Sequence, residues 1–278
     1  MTQTSVPSTV EASPITPSGV QADPARRRRR GGYFPPVRGL LPLALFLAIW
    51  QLIGNPHSPY FPPPSQWWDG VNSLLSQGKL FPAVGATLEA FMIALVLATV
   101  IGSILGFLMG AAGRVDRALS STLEFLRSMP SAAVVPVFVL IIGYNLRMKV
   151  TVVVFAAVWP VLLSTRSAAR KANPLINDVA RTLRLSRPTR LGKVVLPSML
   201  PAILLGVQVA APITLIITLL VEILTNVSGL GALLATAQNN FESAEVYGLV
   251  AVAGVIAVLL NFAVKMLEAY LTRYRPRP

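Results

Sequence analysis

The stretch NPLINDVARTLRLSRPTRLGKVVLP, residues 173–197, decides how the chain is read: it is basic, carries a short amphipathic pattern and lies between long apolar runs. Asn173 before Pro174 supplies an N-cap and a proline at the first helical position, and Asp178 falls just past the first turn, at the end that favours a carboxylate. Ile176, Val179, Ala180 and Leu183 recur on one helical face, with Asn177, Asp178 and Arg181 on the other, until Pro188 interrupts the pattern. The spacing predicts a short helix, a bend, then Val194-Val195-Leu196-Pro197. On residues alone, the stretch is either a basic loop that only sets topology or a place where a cytosolic partner docks.

The surrounding composition places it at a membrane. With 54% hydrophobic and 13% charged residues in 278, and a mean hydropathy of +0.63, the chain is too apolar for a soluble domain of its size. A net charge of +13 would suggest nucleic acid in a soluble protein, but here the charges cluster outside the apolar runs, which points to topology and argues against nucleic-acid binding. The absence of cysteine excludes a disulfide framework, thiolate chemistry and a Cys-based metal site. Residues 1–38 are rich in Pro, Ser and Thr and include the run Arg26 to Arg30, a composition expected to form a disordered cytoplasmic tail ahead of a membrane domain over 39–278. No small-residue cleavage pattern follows the arginines, so they are read as a cytoplasmic anchor rather than part of a signal peptide; the later spans also compete against twin-arginine export.

Against the ~20 residues needed to cross a bilayer, six apolar segments can be placed, at 40–54, 86–112, 123–142, 150–165, 195–224 and 246–267. The expected fold is therefore an all-α membrane protein of about six transmembrane helices. Pro197, Pro201 and Pro212 predict an interfacial start or a kink in the fifth segment. With both termini cytoplasmic, most Lys and Arg fall inside and only Lys79, Arg147 and Lys149 fall outside. Gly102, Gly106 and Gly110 strip side chains from one face of the second span and predict a closely packed neighbour. In the third, Pro130 and Pro136 free backbone groups that lipid cannot satisfy, making that stretch a candidate wall of a translocation route.

Glu222 lies within an apolar run, where an ionisable group is costly unless paired or hydrated; it either bonds a neighbouring helix or interface, or serves a pathway or gate. Arg127 follows Glu124 at a spacing that allows an ion pair on one helix face, with substrate contact as the alternative. His57, the single histidine, has no second histidine with which to build a metal pair and is read as a surface residue. Trp67 and Trp68, beside Pro62 to Pro64, read as interfacial anchors.

Asp178-Val179-Ala180, three residues, Arg184, nine residues, then Val194, Leu196 and Pro197 resemble the E-A-A, three residues, G, nine residues, I-x-L-P signature of ABC importer permeases. Leu126-Arg127-Ser128-Met129-Pro130 with Val135-Pro136 and Gly143 is similar to the L-R-x-x-P stretch of the sulfonate, taurine and nitrate branch, and Leu220 to Leu224 with Gly229-Leu230-Gly231 resembles that branch's A-E-M-L and G-L-G. Arg184 departs from the usual Gly, a residue that permits a sharp turn. The resemblance spans about residues 40–272 and implies a short cytoplasmic coupling helix between the fourth and fifth spans. Asp178, Val179, Ala180, Arg181, Leu183, Arg184, Ser186 and Arg187 would meet an ATPase there.

It further implies a bacterial inner-membrane importer assembled from two permease copies, two cytosolic ATPase subunits and an extracytoplasmic binding protein, with no cofactor of its own. The chain carries no G-x-x-x-x-G-K-[ST] loop, so ATP would be handled by a partner. The competing reading is an ATP-independent secondary transporter or channel using Glu222 and Arg127 as relay groups. A membrane-embedded hydrolase lacks the necessary parts: the chain has no cysteine and one histidine.

Overall fold

The computed structural model describes residues 37–56, 58, 60–171, 186, 189 and 191–272. The chain divides into two units, residues 1–45 and 46–278. The first helix, α1 (Val37–Ile53), opens in the former and ends in the latter. It is followed by α2 (Pro64–Ser76), α3 (Leu80–Ala111), α4 (Gly113–Ser128), α5 (Ser131–Ile142) and α6 (Leu146–Arg170). After a π-helical turn at Leu191–Val195 come α7 (Leu196–Thr225), α8 (Leu230–Asn239) and α9 (Ser243–Thr272). No strand occurs among the described residues.

Local chemistry sets the ends of these helices. Asn145 caps α6 by accepting from the Met148 amide at 3.0 Å. Met129, ahead of Pro130, is driven to extended φ/ψ of −70° and 127°, so the chain cannot continue α4 and turns by 96° into α5. The apolar segment placed at 123–142 is therefore divided between two helices that meet at a sharp corner. Among the described residues four helices, α3, α6, α9 and α7 with its preceding turn, are long and apolar enough to cross a membrane, or five when the bent α4–α5 pair is counted as one span. The first expected segment forms a shorter apolar helix over Leu41–Ile53, so six full-length crossings are not reached by length and composition.

The centre of the larger unit is a three-helix stack of α3, α6 and α7, with Phe91, Leu95, Val161, Met199, Ile203 and Val207 in one cluster. Gly102 presses on the α6 backbone at Val158 and Gly206 of α7 on that at Val161, where an added Cβ would lie 2.9 Å from Val158 O and 2.7 Å from Val161 Cα respectively. α6 is therefore gripped from both sides, and Val161 is fully buried. At one edge α2 lies against α9 through reciprocal glycines, Gly70 against Ala244 and Gly248 against Trp67. Trp67 also stacks on Tyr247 and meets Trp50 edge-on, whereas Trp68 is exposed. α9 buries only Gly248 and Leu249, leaving an apolar outer surface suited to lipid.

Candidate functional site

Two charged clusters cap opposite ends of the α3–α6–α7 stack. At the end where α6 begins and α7 finishes, Glu222 is completely buried among four elements. Its Oε1 accepts from Lys149 Nζ at 2.9 Å, its Oε2 from the Gly231 amide at 2.9 Å, and the Thr87 hydroxyl lies 2.9–3.0 Å from both oxygens. Lys149 Nζ also donates to Ser228 O at 2.8 Å, and Thr87 Oγ1 accepts from the Leu230 amide at 2.9 Å. Every polar group in the knot is thereby satisfied, the condition on which a buried charge pair is tolerable. Gly229 is required twice over: its φ is 153°, and any side chain there would run into the Glu222 carboxylate.

Lys149, expected among the outer-loop charges, is instead fully buried, because Glu222 needs a counter-charge and α6 presents one directly across from it. The stretch Gly229-Leu230-Gly231 is the start of α8 laid over that carboxylate. Neither Lys149 nor Thr87 stood out in the sequence reading, although the rule that an ionisable group in an apolar run needs a partner would have directed attention to the few cations near the same end.

At the opposite end, Asp116, in the first turn of α4, is 4% exposed and receives Arg166 Nε at 2.6 Å together with Arg170 Nη2. Arg166 Nη2 donates to Ser120 Oγ at 2.9 Å, and that hydroxyl donates to Asp116 O at 2.6 Å. The approach is made possible by the glycines of α3. A Cβ on Gly106 would lie 2.5 Å from Leu162 O, and one on Gly110 would lie 2.6 Å from Arg166 O, so the α6 backbone rides directly on the stripe Gly102, Gly106 and Gly110.

The expected pathway residues do not converge. Arg127 pairs with Glu124 at 3.1 Å on an exposed face of α4, bordering a narrow groove that also includes Trp159 and Arg166. Pro130 makes the α4–α5 corner and Pro136 sits inside α5, whereas Glu222 is sealed in its own cluster. Of the expected ATPase contacts, Asp178, Val179, Ala180, Arg181, Leu183, Arg184 and Arg187 lie outside the described residues, as does His57. Ser186 is exposed, its hydroxyl 2.7 Å from that of Thr189.

The binding-protein-dependent transport system inner membrane component family matches residues 98–274, well over half of the chain and all of the α6–α7 core. The chain belongs to that family. The permease is 28% identical over 251 residues to Bacillus subtilis (strain 168) SsuC, a permease protein named for aliphatic sulfonates transport, covering 89% of this chain and 90% of the relative. It is 28% identical over 238 residues to the Escherichia coli (strain K12) taurine transport system permease protein TauC, covering 83% and 86%. Among solved structures, the inward-facing MetNI methionine ABC transporter shares the fold, with a TM-score of 0.62 at 16% identity over 71% of this chain and 98% of that one. The permease is accordingly a multi-pass, all-helical transport subunit of the inner membrane.

Proposed function

We propose that this permease forms the membrane pathway for a small solute and is driven by a separate ABC ATPase that engages Asp178 to Lys193. In this reading two copies of the permease meet two ATPase subunits on the cytoplasmic side, where α6 ends and α7 begins, and an extracytoplasmic binding protein delivers the solute to the opposite side. Both termini are cytoplasmic. Supporting observations are the family match over 98–274 and the coupling signature in the sequence between α6 and α7. Relatives named for sulfonates, taurine, nitrate and bicarbonate support a small oxyanion as the solute class, against one relative of similar identity named for formylaminopyrimidine.

The secondary-transporter reading loses ground on geometry. A relay group must exchange its proton or ion with the pathway, but both Glu222 oxygens are already occupied within a sealed cluster, and Arg127 is engaged with Glu124 on the surface.

Copurification tests the proposal. A tagged chain extracted in mild detergent from its native membrane is expected to bring an ABC ATPase with it, and extraction free of any ATPase removes the reading. Arg184→Gly, which restores the residue usual in the resembling family, is expected to retain that partner. Solute class is tested on the cognate binding protein by calorimetry with taurine, an alkyl sulfonate, nitrate and bicarbonate; binding of none of these overturns the oxyanion assignment alone.

A further inference from the structure

α4 is weakly anchored for a helix inside a packed bundle: of its sixteen residues, only Asp116 is buried. Phe125 is exposed, Val115 and Leu119 are partly exposed, and the Glu124–Arg127 pair is exposed at the border of the groove shared with Trp159 and Arg166 of α6. What holds α4 down at its start is charge: Asp116 against Arg166 and Arg170, with Ser120 completing the ring. Both arginines belong to the last turns of α6, and Arg170 is followed after eight residues by Asp178, where the coupling signature begins. The far end of α4 carries Arg127 and runs into the 96° corner at Pro130.

We propose that Asp116 is a positioning residue for transport, the joint that makes α4 follow the end of α6 when the coupling segment is moved; this rests on the ATPase-driven reading above. The geometry suits a transmitted motion. Arg166 is fixed on the α3 glycine stripe by its backbone and on Asp116 by its side chain, so displacement of this end of α6 carries α4 with it. Two guanidiniums one helical turn apart share a single carboxylate, so neutralising Asp116 both removes the tie and leaves like charges facing each other. α4 then keeps only half-buried apolar contacts, such as Leu123 beside Met109 and Leu162, by which to follow.

The absence of native cysteine makes the test direct. Spin labels on Phe125→Cys of α4 and Val258→Cys of α9, at positions 66% and 69% exposed, report the distance between the two helices in the permease–ATPase complex in nanodiscs, with and without ATP plus orthovanadate. The parent pair is expected to shift on nucleotide trapping. In Asp116→Asn the shift is expected to fall by roughly half or more while ATP hydrolysis stays within about twofold, and Asp116→Glu, which keeps the charge, is expected to recover it. Should Asp116→Asn fail to fold, Arg166→Gln, which removes the more buried of the two ties to Asp116 together with the bond to Ser120, is expected to reduce the shift in the same direction, and a native shift in that folded variant overturns the joint. A native shift in the folded neutral variant overturns the joint and leaves the importer reading intact. A parent complex that hydrolyses ATP without any shift overturns the joint alone, and a chain that never binds an ATPase overturns both.

Discussion

The two ends of the α3–α6–α7 stack solve the same problem, charge inside an apolar bundle, in different ways. The Lys149–Glu222 cluster is one cation against one anion, with side chains 0–1% exposed and each oxygen filled by donors from α3, α6 and α8. The Asp116 cluster sets two cations against one anion and leaves Arg170 half in solvent. The first is neutral, dry and geometrically overdetermined, which suits a fixed cap where α8 folds back over α7. The second is over-charged and wet at its edge, so its contacts can be exchanged with water at modest cost. A transporter needs both kinds of contact: a rigid end against which to work, and an end that can be driven.

The sharpest way to break this comparison is at the rigid end. Lys149→Met leaves the Glu222 carboxylate without its counter-charge in a site closed to water, and breaking a buried pair from one side costs about 3–5 kcal/mol. A large fall in the thermal midpoint of the detergent-solubilised protein is expected, together with poor membrane yield. Adding Glu222→Met to that variant removes the orphaned charge and is expected to restore much of the loss, a non-additivity read from a double-mutant cycle. Glu222→Gln, which keeps the shape but orphans the Lys149 ammonium instead, is expected to cost a similar amount; a negligible loss would mean that the charge pair is not what the cluster is built around.

How far these ends could be read in the sequence follows from the same physics. The apolar runs, the close-packing stripe of α3 and the coupling signature are local patterns, and the first two reappear as helices and as a backbone-to-backbone approach. Glu222 could be singled out because a lone carboxylate in an apolar run is costly, yet its partners Thr87 and Lys149 lie far away along the chain and are joined to it only by packing. Asp116 was hidden for the opposite reason: an aspartate in the first turn of a polar helix is ordinary, and its burial is created by α6. The α4–α5 corner illustrates the limits of hydropathy, since 123–142 reads as one apolar segment while Met129-Pro130 breaks it into two helices.

The glycine stripe that carries α6 toward the adjustable end gives a second, intermediate effect. Gly106→Val introduces a Cβ 2.5 Å from Leu162 O and 2.8 Å from Thr165 Cβ, so α3 and α6 must separate, a cost of about 1–3 kcal/mol by overpacking. Gly85, on the same helix, has nothing within 4 Å of its added Cβ, and Gly85→Ala is expected to be neutral or stabilising by up to about 1 kcal/mol through helix propensity alone. Thermal melts of the two variants side by side check the contrast; similar losses would show that α3 is sensitive to any change rather than to its α6-facing side.

The smallest effect is expected at Arg127, which shares α4 with Asp116 but none of its burial. Its partner Glu124 is 71% exposed at the side chain and three residues away on the same helix, a pair worth about 0.3–0.5 kcal/mol at most. Arg127→Ala should therefore leave the thermal midpoint within about 1 °C for a chain of this size, given a stability change that small. If Arg127 has no part beyond this pair, solute-stimulated ATPase activity in the reconstituted complex should be equally untouched. A variant of unchanged stability but lost stimulation would separate structure from transport at this position: the groove beside Trp159 and Arg166 would then be part of the solute's route, and the driven end of the bundle would extend along α4 from its joint at Asp116 toward the corner at Pro130.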